Sequence, residues 1–386
     1  MKARNVLCKG KPKIAAMIFA CAAMTAFGGI DAAAGVPLAK AEKRPGWDGE
    51  KFTMGAIRWD AWYGFGTTDT VSEEACGTLQ HPNHRWRMPF FADVAPDGKA
   101  TIDGRKPGVM EREIDFAADA GLDYWAFLVY ENGNSRNNAM PLYLKAKNRN
   151  RMKFCIILYM VTKNGYNWPE TCERWLSYLD EPGYLKVCGG RELVFIYPDV
   201  VPPDLIADFR SKAKLRGHAP YYVGMSSKNY VTTVRENVAK DCAGMDAVGA
   251  YTFKNENNDS CSDFGKMMDF LEENQWNAAA KDGLVLVPTV MAGFDASPRR
   301  DTEVSWQKGR FKNKVFHPPL TREQLTEETR RAKQFVLSHP TTCEAKTCLW
   351  YAWNEFDEGG WLCPTRGADG KPDTMRIEAV KAGLSE

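Results

Sequence analysis

Near the C-terminus, the stretch WYAWNEFDEGGW from Trp350 to Trp361 sets three carboxylates, Glu355, Asp357 and Glu358, among five aromatic residues. In an extended strand, side chains three residues apart point to opposite faces and lie about 10 Å from one another. A turn at Gly359 and Gly360 would instead bring Glu355 and Glu358 to within about 5 to 6 Å. Two carboxyl groups that close can act on one glycosidic bond. One is kept protonated by its neighbour's charge and by dry surroundings, while the other stays ionised. The plain structural alternative is a solvated acidic turn. Asp357 points away between the pair and is expected to be structural.

Such a pair needs a rigid scaffold, and the chain supplies a repeating pattern for one. Beyond Gly46, short runs rich in β-branched and aromatic residues alternate with longer segments of helical periodicity, as in βαβ units around a parallel sheet. Eight strands are expected: MGAIRWDA from Met54, YWAFLVY from Tyr124, FCIILYM from Phe154, ELVFIYP from Glu192, YYVGMSS from Tyr221, AVGAYTF from Ala247, LVLVPTVM from Leu284 and CLWYAWNEF from Cys348. Their near-continuous apolar character fits strands buried on both faces. The fold class is therefore α/β, a (β/α)8 barrel in one domain over residues 51–386, behind a linker at 35–50. A doubly wound open sheet is the rival, weakened because no G-x-G-x-x-G turn follows the first strand. The segments Gly64 to Gly108 and Asp295 to Pro319 look long and helix-poor, as extended βα loops over the C-terminal face would be. The last long helix, TREQLTEETRRAKQFVLSHP, carries a Thr cap with Gln at the third helical position.

In a barrel, polar residues at the C-terminal ends of the strands line the site. That rule selects Asp60 and Tyr63, then Tyr130 and Glu131, Tyr159, Tyr197 and Asp199, Ser226, Tyr251, Asp295, and finally Asn354, Glu355 and Glu358. Carboxylates and amides bind sugar hydroxyls, and aromatic rings take the C–H face of a pyranose. Trp353 and Trp361 are candidate platforms. Arg299 is a further substrate-binding candidate, although an Arg pair (Arg299 and Arg300) beside an Asp equally orders a loop through salt bridges. His81 and His84 could contact substrate.

Composition narrows the partners. A formal charge of +2 over 386 residues points to neither nucleic acid nor an anionic membrane surface. Aromatics at 12%, with twelve Trp, suit a cleft with flat apolar walls. The basic N-terminus followed by IAAMIFACAAMTAFGGI and DAAAG reads as an export signal over residues 1–34, placing the mature chain outside the cytoplasm. Lipid anchoring at Cys21 is the alternative. No later run is long enough to span a bilayer. Cys343 with Cys348 and Cys172 with Cys188 are possible pairs, but the odd cysteine count of the mature chain does not make a disulfide framework. No spacing matches a structural zinc site, so neither metal nor cofactor is expected, and a monomer is.

The residues also carry a resemblance. WNEFDEG from Trp353 resembles the W-N-E-W-x-E-G motif of glycoside hydrolase family 99-like proteins, which include endo-α-mannosidases and WbsX-type proteins often labelled glycosyltransferases. VPTVMAGFDASPRR from Val287 and EREIDFAADAGLDYWAFLVY from Glu111 resemble further segments of the WbsX-type group. The resemblance implies a barrel acting on α-linked glycans through Glu355 and Glu358 without a metal, with participation of the sugar's own 2-hydroxyl. Glu355 would be the base that assists that hydroxyl, and Glu358 the acid. Phe356 and Cys363 depart from the pattern, which puts the substrate in doubt. The expected activity is hydrolysis of an α-linked, α-mannoside-type oligo- or polysaccharide. The alternatives are a glycosyltransferase, against which the absence of an Asp-x-Asp cation site argues, and a noncatalytic glycan-binding barrel.

Overall fold

Each of the eight apolar runs forms a strand: β1 Thr53–Arg58, β2 Tyr124–Val129, β3 Lys153–Leu158, β4 Arg191–Ile196, β5 Tyr221–Met225, β6 Ala247–Gly249, β7 Thr289–Met291 and β8 Thr347–Tyr351. The computed structural model describes residues 42–386 except 68–69, 160–166, 199, 226–241, 243, 253–263, 313, 315 and 317. All strand pairs along the order β7-β8-β1-β2-β3-β4-β5-β6 are parallel. Nearly every residue of these strands is buried, because the lumen covers one face and the helices the other. The result is a nearly closed (β/α)8 barrel.

The seam between β6 and β7 is stitched differently from the rest. Pro288 lacks an N–H, so the run from Leu284 is interrupted before β7, and Leu286 makes only an isolated bridge to Val248. Side chains supply the missing bonds. Thr289 Oγ1 accepts from the Ala250 amide at 3.1 Å and donates to the Ala250 carbonyl at 2.9 Å, while Gln275 donates to the same hydroxyl at 3.2 Å and accepts from the Thr289 amide at 2.9 Å.

Helices fill the outer layer among the described residues: α1 Thr70–Gln80, α2 Val109–Asp119, α3 Ala139–Lys145, α4 Trp168–Leu179, α5 Pro203–Leu215, α6 Phe264–Leu271, α7 Ala278–Asp282, α8 Ser297–Asp301, α9 Arg322–Ser338 and α10 Met375–Ser385. The expected capping box opens α9. Thr321 accepts from the Gln324 amide at 3.2 Å, and Gln324 accepts from the Thr321 amide at 3.0 Å. The 64–108 segment departs from expectation, since it contains the eleven-residue α1. Its buried face is Ser72, Ala75, Cys76, Thr78 and Leu79, mostly small or polar residues whose periodicity does not stand out in sequence. The eight described cysteines are buried free thiols, so neither suggested pair is bonded. No helix among the described residues is long and apolar enough to cross a membrane.

Candidate active site

The chain leaves β8 at Tyr351 and forms a tight hairpin, in which Asn354–Glu355 pairs with Gly360–Trp361. The Glu358 amide donates to the Glu355 carbonyl at 3.2 Å, closing the turn that gathers the two acids. Glycine is required at its end. Gly359 has φ +81°, and a Cβ there would lie 2.9 Å from the Cα of Asp295 on the loop after β7. The Asp295 amide donates to the Glu358 carbonyl at 2.7 Å, so the β7 and β8 loops touch backbone to backbone.

Three carboxylates of this turn share one guanidinium. Arg299, on α8, donates from Nε to Asp357 at 2.7 Å and from Nη2 to the same carboxylate at 3.0 Å. Its Nη1 donates to Glu358, and its Nη2 lies 3.6 Å from Glu355. Glu358 also accepts from the Tyr351 hydroxyl, and Glu355 from the Tyr251 hydroxyl at 2.6 Å. The second oxygen of Glu355 has no hydrogen-bond partner among the described residues. Glu355 is 3% exposed and Glu358 8%, at the floor of the barrel mouth. Burial, followed by the charge of Glu358, pushes the Glu355 carboxyl well above the usual carboxylate range, against the opposing pull of Arg299 and Tyr251. The protonated form of Glu355 is thereby favoured, and burial also raises the Asp357 carboxyl against the pull of Arg299. Burial alone would lower the pKa of Arg299, but the carboxylates around it raise it, and it stays charged.

Tyrosines at the strand ends continue from these acids around the mouth. Tyr351 meets Tyr251 at 5.6 Å between ring centroids, Tyr251 meets Tyr197 at 6.0 Å, Tyr197 meets Tyr159 at 5.3 Å and Tyr159 meets Tyr130 at 5.3 Å, all edge to face. Tyr159, Tyr197 and Tyr251 are half-buried, so their rings keep some open surface. Glu131 is half-buried after β2, and Asp199 and Ser226 lie outside the described residues.

Other expected site residues are placed elsewhere. Trp353 is fully buried, donates its indole N–H to Glu113 on α2 at 3.0 Å and packs on Trp125, so it offers no platform. Tyr63 donates to the same Glu113 and is likewise buried. Asp60 accepts from Arg58 at 2.9 and 3.1 Å. Asn354 spends its amide on the Trp59 N–H at 2.8 Å and on Asp60 at 3.1 Å. Trp361 is buried under the Arg376 guanidinium, 3.7 Å from its ring centroid. Asp295 holds Arg87 and caps the Ser297 amide at 2.9 Å. In each case the strand-end position is as expected, but the side chain turns into the wall. Arg299 takes the loop-ordering role. Asp357, set aside as structural, is its bidentate partner.

The sequence reading missed Tyr351, Gln307, Trp59 and Trp306. Gln307 accepts from Arg299 at 3.0 Å, and the Arg299 guanidinium lies 5.0 Å from the Trp59 ring and 5.6 Å from that of Trp306. Tyr351 was within reach of the strand-end rule, being the last residue of β8. Gln307 and Trp306 sit in a loop with no periodic signal. His81, His84 and Asp301 bring three possible ligand atoms within 4.8 Å of one another. Arg300 already clasps the Asp301 carboxylate at 2.8 Å, and His84 meets it at 2.8 Å, so the group acts as an ion-paired clamp between the loops after β1 and β7. A cavity of about 560 Å³ opens at the opposite end of the strands, beside Thr53, Asp123 and Lys153, where barrels carry stability and not chemistry.

No protein-family model matches the chain, and no curated protein does. Solved structures do. A GH99 endo-α-mannosidase from Bacteroides thetaiotaomicron, in complex with BIS-TRIS-propane, aligns over 86% of this chain and 95% of its own at 14% identity and a TM-score of 0.54. Another structure of a GH99 endo-α-mannosidase from the same organism aligns with the same coverage and identity at a TM-score of 0.51. The chain therefore shares the (β/α)8 fold of the GH99 endo-α-mannosidases.

Proposed function

We propose that the protein is an exported glycoside hydrolase that cleaves an α-linked glycan of the α-mannoside type, with Glu355 and Glu358 as its working pair. The observation that carries this reading is the pair itself, two buried glutamates brought together on one guanidinium at the barrel mouth, with the Glu355 carboxyl pushed well above the usual carboxylate range by burial and by the charge of Glu358. A carboxyl that favours its proton beside a second carboxylate is what cleavage of a glycosidic bond uses. The half-buried tyrosines supply flat surface for the sugar's C–H face, and the Glu355 oxygen without a protein partner is available to a substrate hydroxyl.

The roles within the pair follow from where the proton must be. In the unliganded site burial and the charge of Glu358 favour it on Glu355, while Glu358 accepts hydrogen bonds from Arg299 and Tyr351. The order implied by the family resemblance, with Glu355 as base, requires that proton to have left Glu355 when the bond breaks. Substrate binding must then move it, or else the roles are exchanged. Aryl glycosides decide between these. A poor-acid variant recovers turnover on a leaving group that needs no protonation, and a variant lacking the base does not. Glu358→Gln and Glu355→Gln are compared on such substrates. Incubation with α-mannans in the absence of nucleotide sugar separates hydrolase from transferase. Release of reducing ends is the expected result, and turnover like that of the unaltered protein in both Gln variants would sink the assignment.

A further inference from the structure

The loop after β7 crosses the barrel mouth, held down by Trp306, Gln307 and Phe311. Gln307 contacts both Arg299 and Glu358. Trp306 lies 6.3 Å from Trp59, and Phe311 joins Phe316, which in turn joins Phe294. Between and beside these anchors stand Lys308, Arg310 and Lys312, all exposed and paired with no carboxylate among the described residues. Arg310 lies close enough to Tyr159, at the end of β3, for its charge to act on that phenol. Across the mouth, the Arg136 guanidinium sits 4.2 Å from the Tyr130 ring centroid and is also within electrostatic reach of Tyr159.

The floor of the same mouth is acidic, with Glu355, Asp357 and Glu358 gathered around Arg299. A neutral glycan gains little from a ring of cations above that floor. An anionic glycan would be repelled by the floor unless cations at the rim met its charges first. Exposed cations around a cleft raise the local concentration of an anionic ligand and speed its encounter.

We propose that Lys308, Arg310 and Lys312 recognise anionic groups, sulfate esters or carboxylates, on the sugars flanking the scissile bond, so that the substrate is an acidic glycan. This rests on the glycosidase reading for the word substrate, but the binding surface can be tested separately. The full chain is run in native gels cast with dextran sulfate, polygalacturonate or neutral α-mannan, over a range of salt. The expected result is retardation by at least one acidic polymer and little by the mannan. The polymer that retards tells sulfate from carboxylate recognition. The combined variant Lys308→Ser, Arg310→Ser, Lys312→Ser should bind the acidic polymer about tenfold more weakly, with a shallower salt dependence. Arg310→Gln alone, a milder change, should shift in the same direction. Retardation unchanged in both variants, retardation by none of the polymers, or preference for the mannan would overturn the proposal. Hydrolysis of neutral α-mannan but of no acidic glycan would overturn it while leaving the hydrolase intact. Cation-dependent binding without release of reducing ends would sink the hydrolase reading and leave the acidic-glycan surface standing.

Discussion

The molecule contains two buried arginine–carboxylate networks about equally far from water, and they are built to opposite ends. Between the barrel wall and α2, Arg58 donates to Asp60 and, at 3.1 Å, to Glu113. Every carboxylate oxygen of Glu113 is engaged, by Arg58, Tyr63, the Trp353 indole and the Cys363 thiol. At the mouth, Arg299 faces three acids and leaves one Glu355 oxygen unmatched. The first network is saturated with donors and works as a clamp. The second leaves one Glu355 oxygen without a donor among the described residues, and burial with the charge of Glu358 favours a proton on that acid. Burial of charge alone therefore does not mark a site; the balance of donors against acceptors does.

The largest effect should come from breaking the second network at its acids. Glu355→Gln or Glu358→Gln should lower kcat by about a thousandfold or more while glycan binding stays measurable, as expected for groups that act mainly in the transition state. The matching change in the first network, Glu113→Gln, should reduce stability yet leave kcat per folded molecule within a few fold. A loss of turnover there comparable to Glu358→Gln would erase the contrast. Next in size are the cations. Removing Arg58 strands Asp60 and Glu113 and should cost about 3 to 5 kcal/mol in unfolding experiments. Arg299→Met should also destabilise the fold, but less at low pH, because its three stranded acids can then take up protons.

Tyr251→Phe should have a smaller and more specific effect. The Tyr251 hydroxyl donates to Glu355 and favours its ionised form, so removing it raises the Glu355 pKa. The limb of the kcat/KM profile governed by Glu355 should then move up by about one pH unit, with little change in melting temperature. A downward shift would mean that the bond favours the protonated acid.

Glu328, in the middle of α9, shows what burial does with no cation in contact. Neither of its oxygens has a hydrogen-bond partner, and burial raises its carboxyl to about 8, helped by Glu272. A folded-state pKa above the unfolded value stabilises the fold most below the unfolded pKa, and that contribution is lost as pH rises toward 8. The melting temperature should fall between acid and mildly alkaline pH, and Glu328→Gln should flatten that slope without altering turnover. An unchanged slope in the variant would assign the pH dependence to other groups.

How much of this was legible varied by kind of feature. The strands read clearly because burial on both faces leaves continuous apolar runs such as FCIIL, and the capping box of α9 read clearly because it is a local hydrogen-bond pattern. Helix α1 was hidden because its buried face is small and polar. The paired glutamates stood out through spacing and through the glycines that follow them. What did not read was side-chain direction. Asp60, Tyr63, Trp353 and Asn354 all lie at strand ends, yet they turn toward α2 or into one another, while Glu355, Asp357 and Glu358 face Arg299. Direction depends on partners hundreds of residues away, such as Glu113 for Trp353.

By itself, then, the sequence determined the eight parallel strands and the turn after β8 that draws Glu355 and Glu358 together, since each rests on local pattern and short-range turn chemistry. Tertiary structure alone decided which acids gather around a shared guanidinium. The ratio of one guanidinium to three carboxylates exists only once α8 brings Arg299 across to the loop after β8. Electrostatic energy depends on through-space distance and burial, and neither is written in the order of residues along the chain.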